Sequence, residues 1–170
     1  MPIFPRTEKV PLGIYIHIPF CRSKCQYCDF YSLPQSDEET MDRYLKALCA
    51  HIRETGPQAP GYLVDTVYFG GGTPSYFGGD RLSAVLAAVR ESFAVTPDAE
   101  ITFEANPDSV NLKLLRRLKR EGFNRISLGI QTDDDELLAA LGRPHSYADA
   151  EEAVRLARKA GFRNLSVDLM

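Results

Sequence analysis

Apolar and polar positions along the chain change period in a regular way. Short runs in which apolar residues alternate or cluster are separated by longer runs in which they return every three or four positions. The short runs predict strands at Gly13–Ile18, Asp65–Phe69, Glu100–Glu104, Arg125–Ile130 and Asn164–Leu169. The longer runs predict helices. One carries the stripe Met41, Tyr44, Leu45, Leu48, Cys49 and Ile52; Ser36 with Glu39 reads as its capping box, and Gly56 and Pro57 stop it after about Glu54. A second carries Leu82, Val85, Leu86, Val89 and Phe93. A third runs from about Ser109 to Glu121 and is capped by Gly122. A short helix starts near Thr132, where Asp133, Asp134 and Asp135 suit its positive end, and a last one runs from Ser146 to Gly161. Strands alternating with helices imply βαβ units, a parallel sheet and right-handed crossovers, which is the α/β class.

Composition narrows this picture. The 170 residues make about one domain, and 44% apolar with 25% charged residues is globular. A net charge of -3 gives no reason to expect nucleic acid or an anionic membrane as a partner. The longest aliphatic stretch, Ala84 to Val89, is far too short to span a bilayer. Met1 to Val10 has Pro2 and Pro5 but no apolar run of the secretory kind, so a soluble cytoplasmic protein is expected. The basic run Lys113, Arg116, Arg117, Lys119 and Arg120 reads as a solvated helix face rather than a phosphate site. The chain stops at Met170, where a parallel α/β fold calls for a loop and a covering helix. The expectation is therefore a fragment.

Three of the four cysteines, Cys21, Cys25 and Cys28, crowd into one segment after the first strand, while Cys49 lies on the apolar helical stripe and reads as core. Disulfides do not suit an odd cluster in a reducing compartment. Three thiolates in one loop suit zinc or an iron–sulfur cluster. His17 is the nearby candidate for a fourth zinc ligand, although its place in an alternating strand also suits a packed or hydrogen-bonded side chain. A four-iron cluster held by three cysteines leaves one iron open to another ligand. Further polar and glycine-rich positions follow the other strands: Gly70 to Pro74, Glu104, Gln131 and Asp168. The carboxyl edge of a parallel sheet is where sites are built.

These segments resemble a known family. Cys21-Arg22-Ser23-Lys24-Cys25-Gln26-Tyr27-Cys28 resembles the CxxxCxφC signature of radical S-adenosylmethionine proteins, with Tyr27 as the aromatic. Tyr15-Ile16-His17-Ile18-Pro19-Phe20-Cys21, Phe69-Gly70-Gly71-Gly72-Thr73-Pro74, Phe103-Glu104-Ala105-Asn106-Pro107, Asn124 to Gln131, Leu141-Gly142-Arg143 and Ser166 to Met170 resemble successive motifs of the HemW/HemN family. That family comprises haem chaperones and oxygen-independent coproporphyrinogen III dehydrogenases. The resemblance implies an incomplete (β/α)6 partial TIM-type barrel of about five parallel strands with covering helices. A tail would occupy residues 1–12 and the core domain residues 13–170, with strand six and a C-terminal domain absent.

The resemblance also implies roles. Cys21, Cys25 and Cys28 would bind three irons of a [4Fe-4S] cluster, and S-adenosylmethionine would chelate the fourth iron. Tyr15 and Tyr27 would sit against the cofactor. Gly71, Gly72 and Thr73 would approach its methionyl part; the alternative, a phosphate loop, lacks the following Lys. Glu104 and Gln131 would hydrogen-bond its ammonium and ribose, Arg143 would pair with its carboxylate, and Asp168 would complete the polar rim. An electron from the cluster would cleave the sulfonium, giving methionine and a 5′-deoxyadenosyl radical. A cellular electron donor and, for the chaperone branch, haem and haem-accepting proteins are implied partners. The family's dehydrogenases carry a further cysteine two positions after the third; Phe30 stands there in this chain, which resembles the chaperone branch. Gln131-Thr132-Asp133 stands where Gln-Ser-Phe is expected. Whether such a chain is an enzyme is left open, and a structural metal module without radical chemistry is the alternative from another class.

Overall fold

The structure, a computed structural model, describes residues 10–170. The expected tail lies outside the described residues except for its last three positions, as does all but Val10 of the segment read for a secretory signal. Among the described residues no helix is long and apolar enough to cross a membrane.

Among the described residues fifteen elements follow one another. The strands and helices are β1 (Val10–Ile18), β2 (Phe20–Cys21), β3 (Leu33–Pro34), α1 (Glu38–Thr55), β4 (Tyr62–Gly71), α2 (Pro74–Phe77), α3 (Gly79–Ser92), β5 (Val95–Ala105), α4 (Leu112–Arg120), β6 (Arg125–Gln131), α5 (Asp135–Ala140), α6 (Tyr147–Ala160) and β7 (Asn164–Leu169). Two 3₁₀ turns, Gly56–Gln58 and Pro107–Ser109, complete the order. Five strands form one sheet in the order β1-β4-β5-β6-β7, every neighbouring pair parallel. This is the expected α/β architecture, five strands of a partial barrel flanked by helices.

The sheet has two chemically different faces because side chains alternate along each strand. Ile16 and Ile18, Val67 and Phe69, Ile101 and Phe103, and Ile126 and Leu128 face the helices and are buried. Phe103 packs edge-on against Phe123 and Phe162, at 5.5 and 5.8 Å between ring centroids. Met41, Cys49 and Ile52 of α1 and Leu82, Val85, Leu86 and Val89 of α3 close the same core. Cys49 is buried, as its place on the stripe required. The opposite face carries Tyr15, His17, Tyr68, Glu104, Arg125, Ser127, Ser166 and Asp168. Cross-strand hydrogen bonds join them: Arg125 Nη2 donates to Ser166 Oγ (3.0 Å), Ser166 Oγ to Ser127 Oγ (2.9 Å) and Ser127 Oγ to Asp168 Oδ1 (3.2 Å). A polar inner wall against an apolar outer one is the interior of a barrel rather than a doubly covered sheet.

Several boundaries differ from the sequence expectations. β1 starts at Val10, not Gly13, and a register shift at Leu12/Gly13 absorbs the change. β5 starts at Val95, five residues before Glu100, because a register shift between Val64 and Thr66 lets Val95 pair with Val64 despite Pro97. The cap of α1 is Asp37, whose carboxylate accepts from Thr40 N at 2.7 Å, while Ser36 Oγ donates to Leu33 O. The helix expected from Ser109 starts at Leu112, capped by Asn111; Ser109 instead reciprocates hydrogen bonds with Asn106 across the 3₁₀ turn. The short helix starts at Asp135, with Asp134 as its cap. In the basic run, Arg117 pairs with Asp80 and Lys119 lies over the Phe162 ring.

Candidate functional site at the carboxyl edge of the sheet

β1, β4, β5, β6 and β7 all end at the same rim, so the loops leaving them converge. The chain leaving β1 turns at once into the cysteine loop. A two-residue parallel pairing, Phe20 with Leu33 and Cys21 with Pro34, closes the base of that loop, reinforced by Leu33 N–H to Pro19 O and Gln35 N–H to Cys21 O. Within it, Lys24 Nζ donates to Phe30 O at 2.7 Å and to Ser32 Oγ at 3.2 Å.

The glycine run at the end of β4 packs against this entry. Gly72 N–H donates to Ile18 O and Thr73 N–H to Phe20 O, both at 2.8 Å. Gly71 has φ +112° and lies against the His17 ring, so a side chain there is excluded twice over. The protein's own atoms therefore already demand glycine here: the His17 ring at Gly71 and the backbone of Ile18 to Phe20 at Gly72. Pro74 at the first position of α2 ends the run.

Glu104 at the end of β5 is held by both carboxylate oxygens: Tyr68 Oη donates to Oε1 at 2.7 Å and Gly71 N–H to Oε2 at 3.2 Å. Burial, with Asp168 nearby, pushes its carboxyl above the usual range against those two bonds. Gln131 ends β6 at φ +75°, a left-handed conformation that a residue with a side chain adopts at a cost of about 1–3 kcal/mol, the kind of strain that clusters at functional sites. Its peptide is fixed by Met170 N–H to Gln131 O (2.9 Å), while His145 Nε2–H donates to Ile130 O (3.2 Å). Gln131 Nε2, Arg143 Nη2 and Asn106 Oδ1 converge above Gly129, where a Cβ would come within 3.0–3.2 Å of all three.

Arg143 reaches three segments. Its Nη2 donates to Gly129 O (2.6 Å) and Asn106 Oδ1 (2.8 Å), and its Nη1 lies 3.6 Å from Cys25 Sγ. Asn106 Nδ2 continues the chain to Thr73 Oγ1 (3.2 Å), which in turn lies 3.5 Å from Cys21 Sγ. Burial raises the Cys21 thiol, and the Thr73 hydroxyl opposes that.

These side chains line one cavity of about 360 Å³, within the range of small-molecule sites. Of the sequence-derived candidates, Cys21, Cys25, Cys28, Tyr27, Gly71, Gly72, Thr73, Glu104, Gln131, Arg143 and Asp168 all line it. Tyr15 does not. Its ring lies on the inner wall, stacked on Tyr68 at 6.3 Å, with its hydroxyl on His17 Nδ1 (3.0 Å). His17 Nε2–H donates to Tyr31 O (3.0 Å), so both ring nitrogens are engaged, which is the hydrogen-bonded role rather than the ligand one. Asn106, Ser127 and Gly129 line the cavity and were missed. Asn106 precedes a proline and reads as a strand stop, which hides its bridging role; Ser127 is legible as an inner-wall position from alternation alone.

Among the described residues no three His, Cys, Asp or Glu side chains converge on a single ion. The three thiols are free and half-buried, and they face the cavity from separate points of one loop. Three thiolates from one loop are soft donors of the kind that iron–sulfur clusters and zinc both take. The donor set and the polar pocket beside it fit a cluster with a small polar cofactor.

Comparison with known proteins follows the same line. A family model described as the radical SAM superfamily matches residues 15–170. The heme chaperone HemW of Mycobacterium tuberculosis (strain ATCC 25618 / H37Rv) is 41% identical over 162 residues, covering 94% of this chain and 42% of the relative. The oxygen-independent coproporphyrinogen III oxidase of Escherichia coli (strain K12) is 34% identical over 165 residues, covering 97% of this chain and 36% of the relative. The solved structure of coproporphyrinogen III oxidase (HemN) from Escherichia coli superposes with a TM-score of 0.89 at 33% identity, covering 97% of this chain and 38% of that one. The chain thus spans well under half the length of these relatives. On the family model, the cysteine loop and the shared fold, the chain belongs to the radical SAM superfamily.

Proposed function

We propose that this chain carries the cluster and S-adenosylmethionine site of a haem chaperone of the HemW type. One observation supports the reading above others: three thiols from a single loop share a cavity with polar groups from the ends of the other four sheet strands. Cys21, Cys25 and Cys28 would hold a [4Fe-4S] cluster. When bound, the cluster and its sulfonium ligand supply one-electron cleavage chemistry. The protein's own residues orient and shield. Glu104 offers a fixed carboxylate to an ammonium group, Arg143 a forked cation to a carboxylate, and Gln131 and Asp168 hydrogen-bonding groups to a ribose. Gly71, Gly72 and Thr73 form a wall without bulk, and Tyr27 covers the loop side. The core domain would span residues 13–170, and the protein would work in the cytoplasm with a cellular electron donor and haem-accepting proteins.

Two observations favour the chaperone over the dehydrogenase branch: identity is 41% to the HemW relative against 34% to the oxidase, and Phe30 stands at the extra cysteine position of the dehydrogenases. The oxidase reading keeps support from the close superposition on HemN. Anaerobic reconstitution with iron and sulfide tests the common part. The expected result is a brown protein whose reduced EPR spectrum shifts on adding S-adenosylmethionine. Retained zinc with no such spectrum would sink it in favour of a structural metal module. Haem binding and transfer, measured beside carbon dioxide release from coproporphyrinogen III, separates the branches.

A further inference from the structure

Glu104 has three rotatable side-chain bonds, and at the end of a strand it could sweep a wide arc. It does not, because a second side chain fixes it. Tyr68 lies on the inner wall of β4. It is half-buried, does not line the cavity, and is stacked on Tyr15 with 23° between ring planes. Its hydroxyl donates to Glu104 Oε1 at 2.7 Å, while Gly71 N–H takes the other oxygen. Each carboxylate oxygen keeps a second lone pair, so two donors fix the group without saturating it.

Building on the proposed cofactor site, we propose that Tyr68 is a positioning residue: its phenol aims the Glu104 carboxylate at the cavity and keeps it charged to receive a cationic amine. Tyr68 suits this task because it remains a donor throughout the accessible pH range. Burial, and then its bond to Glu104, push its own ionisation well up. The bond works in the other direction on Glu104, lowering a carboxyl that burial raises. The other groups around Glu104 are Tyr15 and His17 on β1 and Asp168 on β7, while Arg125 on β6 approaches Tyr68 and Arg143 from the α5–α6 connection lines the same cavity. His17 lowers the carboxyl and Asp168 raises it. None of them replaces the direct hydrogen bond.

The test reads Glu104 itself. In metal-free, reduced protein carrying ¹³C-labelled Glu and Tyr, the Glu104 side-chain carbonyl resonance is followed with pH, assigned with Glu104→Gln. Tyr68→Phe is expected to raise its midpoint; an unchanged midpoint overturns the inference. Should Tyr68→Phe not fold, the unsubstituted protein still decides. The Tyr68 ring Cζ resonance must move with the same midpoint as Glu104, and independent midpoints overturn the inference equally. In cluster-loaded protein, Tyr68→Phe is expected to bind S-adenosylmethionine roughly tenfold more weakly near neutral pH, with the acid limb of binding moved to higher pH. If unsubstituted loaded protein binds no S-adenosylmethionine, the cofactor reading fails, and the resonance titration still judges Tyr68. If it binds and the Tyr68→Phe profile superimposes, Tyr68 plays no such part.

Discussion

Replacing Gly72 by Ala tests whether the glycine run serves the protein's backbone before any cofactor. A Cβ at Gly72 would lie 2.8 Å from Phe20 O, 2.9 Å from Ile18 O and 2.9 Å from Pro19 C. All three are backbone atoms of the segment that enters the cysteine loop, and none can rotate away. Each must retreat by about half an ångström to reach ordinary contact, while the 2.8 Å bond from Gly72 N–H to Ile18 O resists that movement. Overpacking of this kind costs about 1–3 kcal/mol, or roughly 5- to 160-fold in the unfolding equilibrium. Removing a glycine returns about 0.4–1 kcal/mol by narrowing the unfolded ensemble, and because three backbone atoms clash at once the cost falls in the upper part of its range, leaving a net loss of about 1–2.6 kcal/mol. Gly61 provides the control, since no atom lies within 4 Å of its Cβ position. Urea unfolding followed by circular dichroism should show Gly61→Ala neutral or stabilised and Gly72→Ala destabilised at the same m-value. Equal midpoints for the two variants would refute the argument and return the glycines to the cofactor alone.

Arg143→Lys keeps the charge but loses the fork that meets Gly129 O and Asn106 Oδ1 while approaching Cys25 Sγ; a stability loss of about 1–3 kcal/mol is expected in denaturant. His145 is buried with its Nδ1 unpartnered, and burial first, then Arg143, lowers its folded-state affinity for protons. The unfolded histidine takes up a proton first, so its contribution is complete above about pH 6.5 and is lost as the pH falls further. His145→Gln should flatten that acid slope in unfolding measurements. Asp37→Ala should cost about 0.5–2 kcal/mol as loss of the α1 cap, whereas Ser36→Ala should cost much less, because Asp37 and not Ser36 receives Thr40 N–H.

The two faces of the sheet are legible in the sequence, because alternation in segments such as Arg125–Gln131 assigns Ile126, Leu128 and Ile130 to the core and Ser127 and Gln131 to the inner wall. Helix ends with strong local chemistry were legible too: Ser146 and Gly161 bracket α6 as expected. What failed were choices between adjacent residues with the same chemistry. Ser36 and Asp37 are both good caps, and only the tie from Ser36 Oγ to Leu33 O, fixed by the small β2–β3 pairing, decides between them. Ser109 and Asn111 compete in the same way, and Asn106 claims Ser109. The first half of β5 was hidden because Pro97 argues against a strand, and only tertiary pairing with β4 overrides it. Tyr15 was placed against the cofactor by resemblance. Its inner-wall side follows from alternation, but its height below the rim depends on the β1–β4 register.

The α5–α6 connection couples parts of the site that are far apart in sequence. Leu141 O accepts from Gln26 N–H, so the connection docks the cysteine loop through its backbone. Two residues on, Arg143 reaches Cys25 Sγ, Gly129 O and Asn106 Oδ1 at once. Two more on, His145 holds Ile130 O, next to the strained Gln131. Ser146 then caps α6 and anchors the whole segment to a long helix packed on the core. The loop that presents the thiols is thereby referenced to the same rigid elements that present Glu104, Gln131 and Asp168. A ligand touching both halves meets groups whose separation the fold has already set, and most of the ordering entropy is lost during folding rather than on binding. Changes in the connection should therefore disturb thiol reactivity and the inner-wall groups together.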